Sequence, residues 1–335
     1  MKNTINWQRV EEHLSRSKSR SVLKPYGSPD ITNPFTSAFA EVDVMPRWDI
    51  DKNICISVAL TGGFFMKRHN KNQPINDSEI IKHGLECLEM GATSLHIHVR
   101  NENELSIVDY NKFHNVIGDI KKQFPSTYIS AGEVAIGMED WAEMNKLTTS
   151  GIIDGSPVNT TATFIGDTLF AKPPSVMIKK TDLLQNNNVK PEIAVYTDGD
   201  VDNANRYLIK SGLLKKPYFW VLLPALPGCS PMHNPKQMID GLNRIVSLIK
   251  DIDDKSIISV CAAGRPSLYL VTLAAIMGLH VRVGMEDTVW VYPHQNKLIE
   301  NNKQIYLMIK NICELLGREI MSSIEFKELI RVKDD

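Results

Sequence analysis

Eight short runs of aliphatic and β-branched residues, each followed by a window of helical periodicity, constrain this chain more than any other feature. The runs are ICISVAL (residues 54–60), TSLHIHV (93–99), YISAGEV (128–134), IIDGSPV (152–158), EIAVYT (192–197), YFWVLL (218–223), IISVCAA (257–263) and LHVRVGM (279–285). Strand then helix, eight times over about 240 residues, is the count of a (β/α)8 TIM barrel, an α/β fold. An open doubly wound sheet needs fewer strands. The first strand–helix turn, LTGGFFMK, also lacks the GxGxxG fingerprint of a dinucleotide site.

The helical windows carry their own start and stop signals. In NDSEIIKHGLECLEM (76–90), Asn76 or Asp77 caps a helix whose apolar positions are Ile80, Ile81, Leu85 and Leu88, and Gly91 ends it. DYNKFHNVIGDIKKQF, GMEDWAEMNKL, SVMIKKTDLLQNN, NANRYLIKSGLL, NPKQMIDGLNRIVSLIKD and PSLYLVTLAAIMG fill the later gaps, and ENNKQIYLMIKNICELLGREI (300–320) reads as a closing helix. SSIEFKELIRVKDD (322–335) adds a short helix and a charged end.

Residues 1–50 stand outside this rhythm. A short amphipathic helix over 7–17 precedes KPYGSPDITNPF, a Pro/Gly/Ser-punctuated stretch without periodicity. The segment carries Trp7, Tyr26, Phe35, Phe39 and Trp48, so it reads as an arm packed on the barrel of residues 51–335 or on a neighbouring subunit.

Composition narrows the function classes. With 43% hydrophobic and 23% charged residues the chain is globular, and 335 residues accommodate one large barrel plus the arm. A balance of 38 Lys plus Arg against 39 Asp plus Glu, net −1, argues against nucleic-acid binding and against a polybasic membrane anchor. No apolar run approaches the length of a membrane span, and MKNTINWQRVEEHLSRSKSR is no signal peptide. Cys55, Cys87, Cys229, Cys261 and Cys313 form no CxxC pair and read mostly as apolar filler. The expectation is a cytoplasmic, reduced protein.

Barrel enzymes place reactive groups at the C-terminal ends of their strands. In LHIHVR, alternation sends His96 and His98 to one face and Leu95, Ile97 and Val99 to the other. Two imidazoles converging in the mouth make half of a zinc site, or else two core histidines bonded to polar neighbours. The eighth run ends Arg282-Val283-Gly284-Met285-Glu286-Asp287. Two acids in a low-dielectric mouth are costly unless paired or metal-bound. A closed barrel brings this strand beside the first, so Glu286 completes a His2Glu set with an open position, the layout of a catalytic zinc. His2Glu also suits other divalent transition metals. Asp287 is then free as a base and Arg282 as a carboxylate clamp. Ser130, Gly132 and Glu133, after the third run, and Thr61 and Lys67, around the Gly62-Gly63 loop, are candidates for holding an anionic substrate. His280 falls at the wrong end of its strand and His233 and His294 in loops, which counts against a two-zinc hydrolase.

Together LTGGFFMK, GATSLHIHVRN, the SAGE turn and VRVGMED resemble the β-keto acid cleavage enzymes, formerly a domain of unknown function, whose type activity is 3-keto-5-aminohexanoate cleavage. The resemblance runs over residues 54–290, and HxH combined with RVGxED is its specific part. It implies a zinc-dependent barrel, a homo-oligomer and commonly a tetramer. The implied reaction converts a β-keto acid and acetyl-CoA into an acyl-CoA and acetoacetate. By position, His96, His98 and Glu286 match the zinc ligands, Asp287 the base, Arg282 the arginine that orients it, and Ser130 the serine that binds the substrate carboxylate. This chain departs from the pattern in three places. SAGE stands where STGG is usual, putting Ala131 and Glu133 at the site's edge. Asp154, Ser156 and Thr160 lie where a further threonine belongs. Phe64 or Phe65 replaces an acid of members that hold an amine. These changes bear on the substrate more than on the reaction. The readings set against this one are another metal-dependent barrel aldolase or hydrolase, and a non-catalytic ligand-binding relative.

Overall fold

A computed structural model describes residues 2–16, 35–133 and 138–331. Tyr26 and most of the KPYGSPDITNPF stretch, Val134 of the third run and the charged end after Arg331 lie outside the described residues. The chain divides into two compact units, Met1–Ile50 and Asp51–Asp335.

In the first unit the amphipathic window forms the helix Trp7–Arg16. Antiparallel bridges join Ile5 to Ala40 and Thr36 to Asp43, and Asn6 N–H donates to the Phe39 carbonyl at 2.8 Å. The His13 and Phe39 rings meet edge to face at 5.3 Å, whereas Trp7 and Trp48 are exposed.

The second unit is a closed barrel of eight parallel strands, all eight of the runs read from the sequence. They are β1 (Ile56–Ala59), β2 (Ser94–Ile97), β3 (Tyr128–Ala131), β4 (Gly155–Asn159), β5 (Lys190–Val195), β6 (Phe219–Leu222), β7 (Ile257–Cys261) and β8 (His280–Val283). Neighbours pair in chain order, and β8 closes onto β1 with Arg282 opposite Ser57. Ala59 pairs with His96 and His96 with Ser130, so these three lie side by side in one layer. Outward residues of the strands, among them Leu95, Ile97, Val281 and Val283, are fully buried against the helices.

The first barrel helix, Asp77–Glu89, starts where its capping signal said. Asn76 accepts from Glu79 N–H, the Glu79 carboxylate returns to the Asn76 backbone, and such caps are each worth about 1 kcal/mol. Gly91 follows at φ +94°, a conformation that suits glycine. A second apolar cluster runs along the barrel interior, from Phe326 and Tyr128 to Leu223 and Ala263. Phe326, from the last helix, Ser323–Ile330, meets the Tyr128 and Phe219 rings at 5.1 and 5.6 Å. All five cysteines are free and buried. Among the described residues no helix is long and apolar enough to cross a membrane.

Several elements differ from the sequence expectation. The second run does not stay one strand: it stops at Ile97, His98 lies just beyond, and Val99–Arg100 pairs antiparallel with Ser106–Ile107. The first run is interrupted at Cys55, and Asn53–Ile54 pairs instead with Glu319–Ile320, so the closing helix ends at Leu315. The fifth helical window becomes the helix Asp198–Ala204 running into a π-turn, Asn205–Ile209. After β4 an antiparallel hairpin, Ala162–Ile165 with Thr168–Ala171, turns at Gly166. Two-residue ladders and a single exposed hairpin leave too short a period to read in the sequence.

Candidate active site

At the C-terminal end of the barrel His96, His98 and Glu286 converge, their candidate ligand atoms all within 4.8 Å of one another. His96 Nε2 lies 3.4 Å from Glu286 Oε2, and His98 Nε2 lies 3.6 Å from Oε1. Each imidazole is fixed from behind: His96 Nδ1 is 2.8 Å from Ser130 Oγ, and His98 Nδ1 is 2.9 Å from Ser106 Oγ. His98 therefore reaches the mouth from the loop after β2, and the short ladder following it supplies the serine that aims it.

Two glycines make room for this cluster. A Cβ on Gly62 would sit 2.2 Å from Glu286 Cγ, and one on Gly132 would sit 2.0 Å from His98 Nε2. The path to Glu286 is likewise a backbone device. β8 ends at Val283, and Gly284, at φ +143°, turns the chain so tightly that a Cβ there would meet the Ala59 carbonyl oxygen at 2.0 Å. The eighth run is thus cut short as a strand, yet Arg282 Nη2 reaches Glu286 Oε1 at 3.2 Å. Asn302, at the start of the helix Asn302–Leu315, pins the turn. It accepts from Met285 N–H at 2.8 Å and donates to the Leu60 carbonyl at 2.9 Å.

Asp287 is not a free acid. Arg282 holds both its oxygens, Nε donating to Oδ2 at 3.0 Å and Nη2 to Oδ1 at 2.5 Å. Burial still lifts the Asp287 carboxyl above the usual range, with Arg282 opposing. Burial acts on Glu286 in the same sense, but His96, Arg282 and His98 together hold it well below the carboxylate range. Burial pushes His96 down to about 4 against the pull of Glu286, so its imidazole is neutral near pH 7. A neutral imidazole is the form that ligates metal.

The donor set fits a divalent transition metal. Two imidazole nitrogens and one ionised carboxylate face a common point, and Glu286 Oε2 is buried without a hydrogen-bond partner. An orphaned buried carboxylate oxygen is costly unless a cation meets it. Imidazole with carboxylate suits zinc and its neighbours in the transition series.

The remaining candidates are engaged elsewhere. Ser130 Oγ–H donates to Glu192 Oε2 at 2.7 Å while touching His96. The Glu133 side chain accepts from Ser156 Oγ–H at 2.7 Å and pairs with Lys180 at 3.6 Å. Thr61 accepts from Gln73, and the Lys67 ammonium donates to Glu79 at 2.7 Å. Asp154 accepts from Ile129 N–H, and Thr160 donates to the Asp200 carbonyl.

Sequence reading missed Ser106, Glu192, Asn302 and Arg100. Arg100 is buried, donates from Nη1 to the Glu104 carbonyl at 3.0 Å, and has no partner at Nε or Nη2. Its signal was available in LHIHVR, where an arginine stands two residues after the second histidine. Ser106 and Asn302 carry no such signal, because loop closure and helix packing bring them in.

Known proteins resemble this chain along most of its length. It is 27% identical over 287 residues to a 3-keto-5-aminohexanoate cleavage enzyme of Fusobacterium nucleatum, covering 84% of this chain and 99% of the relative. It is 23% identical to a 3-oxoadipate:acetyl-CoA acetyltransferase of Cupriavidus necator, covering 82% and 93%. Among solved structures, the binary complex of ObcA with oxaloacetate superposes with a TM-score of 0.65 at 15% identity, covering 77% of this chain and 67% of that one, a likeness of fold. The profile of one family, beta-keto acid cleavage enzyme, matches residues 53–332, a span that includes every strand of the barrel and the whole His-His-Glu cluster. This chain is an enzyme of the β-keto acid cleavage family.

Proposed function

We propose that the chain condenses a β-keto acid with acetyl-CoA and cleaves the product by retro-Claisen chemistry, giving an acyl-CoA and acetoacetate, with a divalent metal, zinc by preference, held by His96, His98 and Glu286. The observation that carries this reading is the junction of that triad with the Arg282–Asp287 pair on consecutive residues of one turn. The acetyl-CoA transferases among the relatives favour the same co-substrate. A bound divalent ion supplies Lewis acidity toward a keto oxygen and so favours loss of a neighbouring C–H proton.

Asp287 takes that proton from the carbon between the ketone and the carboxylate, and the resulting carbanion attacks the thioester carbonyl. The freed CoA thiolate then attacks the original ketone carbon, and the bond from that carbon to the one that attacked the thioester breaks, leaving the acyl-CoA and the carbanion of acetoacetate. Asp287 returns its proton to the departing acetoacetate carbon, so the base ends as it began. Arg282 keeps Asp287 ionised and fixed in direction through its two hydrogen bonds, and its contact to Glu286 aligns the whole turn. In this reading the keto acid's carboxylate meets Ser130, with Gly132 and Glu133 after β3 and Thr61 and Lys67 after β1 as further contacts for the substrate. The homo-oligomer, a tetramer by family resemblance, and a cytoplasmic location belong to the same proposal. The exposed Trp7 and Trp48 rings of the first unit favour a partner surface.

Metal analysis followed by a panel of β-keto acids with acetyl-CoA, read as acetoacetate, tests the proposal. Metal-dependent acetoacetate formation supports it. Turnover of the acids without any acyl-CoA would assign the site to a hydrolase or aldolase instead.

A further inference from the structure

The mouth of the barrel is divided by polarity. His96, His98, Arg282, Glu286 and Asp287 come from β2, β8 and the turns that follow them. From the C-terminal ends of β5, β6 and β7 come instead Tyr196, Leu223, Leu226 and Ala263, all buried in the second apolar cluster. Three half-buried side chains pack against that cluster from loops: Phe64 after β1, and Ile165 and Phe170 on the hairpin after β4. Phe65, next to Phe64 in the chain, packs elsewhere, its ring meeting Trp290 at 6.4 Å and His69 at 6.1 Å.

The hairpin is built to present two of these side chains. Ile165 and Phe170 share one face with Thr163, while Phe164 and Leu169, paired across the ladder, stand on the other face, 57% and 62% exposed. Thr163 Oγ1–H donates to the Gly228 carbonyl at 2.7 Å and Gly166 N–H to the Pro227 carbonyl at 3.2 Å, which seats the hairpin on the loop after β6. The Phe170 and Tyr196 rings then meet at 5.7 Å. Burial pushes the Tyr196 hydroxyl up, and Arg282 and Glu286 are the charges that act on it most, so this apolar wall faces the reacting groups. The Lys172 ammonium, 5.6 Å from the Phe170 ring centroid, is engaged by that ring. A charged substituent set against the wall would lose its water and gain no partner of its own.

We infer that Phe64, Ile165 and Phe170 determine the specificity of this enzyme, receiving a short, uncharged alkyl chain on the far side of the keto acid's ketone and turning away acids that carry a second charge there. In the proposed reaction the polar half of the mouth holds the ketone and the carboxylate, which leaves the substituent to the apolar half. The inference rests on that reaction for the identity of the substrate and adds the class of its side chain.

The test is calorimetric titration of the full-length, metal-loaded protein with 3-oxobutanoate, 3-oxopentanoate, 3-oxohexanoate, 3-oxooctanoate, 3-oxoadipate and 5-amino-3-oxohexanoate, in the absence of acetyl-CoA. Turnover of each acid with acetyl-CoA is measured in parallel. From 3-oxobutanoate to 3-oxohexanoate binding should tighten about fourfold per methylene. The two acids with a second charge should bind at least about 30-fold more weakly than 3-oxohexanoate. Phe64→Ala and Phe170→Ala should each weaken 3-oxohexanoate roughly tenfold and narrow its lead over 3-oxooctanoate, with an unchanged KM for acetyl-CoA that separates lost packing from lost folding. Leu169→Ala alters the outer face of the same hairpin and should stay within about threefold of wild type. A charged acid bound as tightly as 3-oxohexanoate would overturn the inference, and a preference for 3-oxoadipate would hand the substituent to Lys172. So would alanine variants that raise the KM for acetyl-CoA but keep the ranking of the acids, since the wall would then serve the thioester. A wild type that binds none of the acids sinks the proposed reaction and this inference together. Binding in the expected order without acetoacetate formation sinks the reaction alone, and acetoacetate formed from all the acids with equal affinity sinks the inference alone.

Discussion

Gly132 and Asp287 show how single residues fix this site. A methyl group at position 132 would overlap the His98 ring at 2.0 Å, and one at 62 would overlap the Glu286 side chain at 2.2 Å. Gly132→Ala and Gly62→Ala are therefore expected to lose metal affinity by at least about tenfold, because ligands must be held within a few tenths of an ångström of the ion. Equilibrium dialysis on variants with unchanged far-UV circular dichroism checks this, and full metal occupancy in both would contradict it. Asp287 is not part of the His96, His98 and Glu286 group and is held by Arg282, so Asp287→Asn should keep its metal while kcat falls by roughly 10²–10⁴-fold. Loss of metal with Asp287→Asn would place that residue among the ligands instead. At this scale the sequence was most informative where alternation along one strand fixes a direction, as for His96, whereas His98 joins it from just beyond the strand's end. It was silent on Glu192, whose meeting with Ser130 depends on the mutual register of β3, β4 and β5.

Elements aim these residues, and the turn after β8 is the one on which most depends. Gly284 starts it, and Asn302 holds it from a helix that begins 15 residues after Asp287, with bonds to Met285 N–H and the Leu60 carbonyl. Asn302→Ala leaves both backbone groups buried and unpaired, at a cost of about 1–3 kcal/mol each. The variant should unfold at lower denaturant and lose kcat through misplacement of Glu286 and Asp287. Wild-type stability and activity together would show that the turn needs no such brace. The strand–helix alternation was legible because each element buries one face over several residues. The ladder Val99–Arg100 with Ser106–Ile107 was not, since two-residue strands carry no period, although it delivers Ser106 to His98. The φ +143° of Gly284 was equally hidden, and only its consequence, two acids at a strand end, stood in the sequence.

For the molecule as a whole, eight alternating units decided between one barrel and two domains, and the closed sheet agrees with that count. Stability of the barrel carries a pH signature at the end opposite the site. His280 opens β8, its Nδ1 accepts from Cys55 N–H at 3.1 Å, and burial pushes it down to about 4 from an ordinary value of 6.5. Its folded form is thus harder to protonate than the unfolded chain. The resulting stability is full above about pH 6.5 and is lost as pH falls toward about 4. Between pH 7 and pH 5 this one group accounts for about 2 kcal/mol. His280→Asn keeps an acceptor for Cys55 without a titrating ring, so its unfolding free energy should fall less over that interval than the wild type's. An identical pH dependence in urea titrations would exclude His280 as the cause.

The central claim concerns which carbons end up joined, and isotope tracing reads that directly. The metal-loaded enzyme is supplied with an unlabelled β-keto acid and acetyl-CoA carrying 13C in both acetyl carbons, and the products are analysed by NMR. Condensation followed by retro-Claisen cleavage predicts acetoacetate labelled at its ketone and methyl carbons, with an unlabelled acyl-CoA. Label retained in the CoA ester, or keto acid consumed with no acetyl carbon transferred, would contradict it.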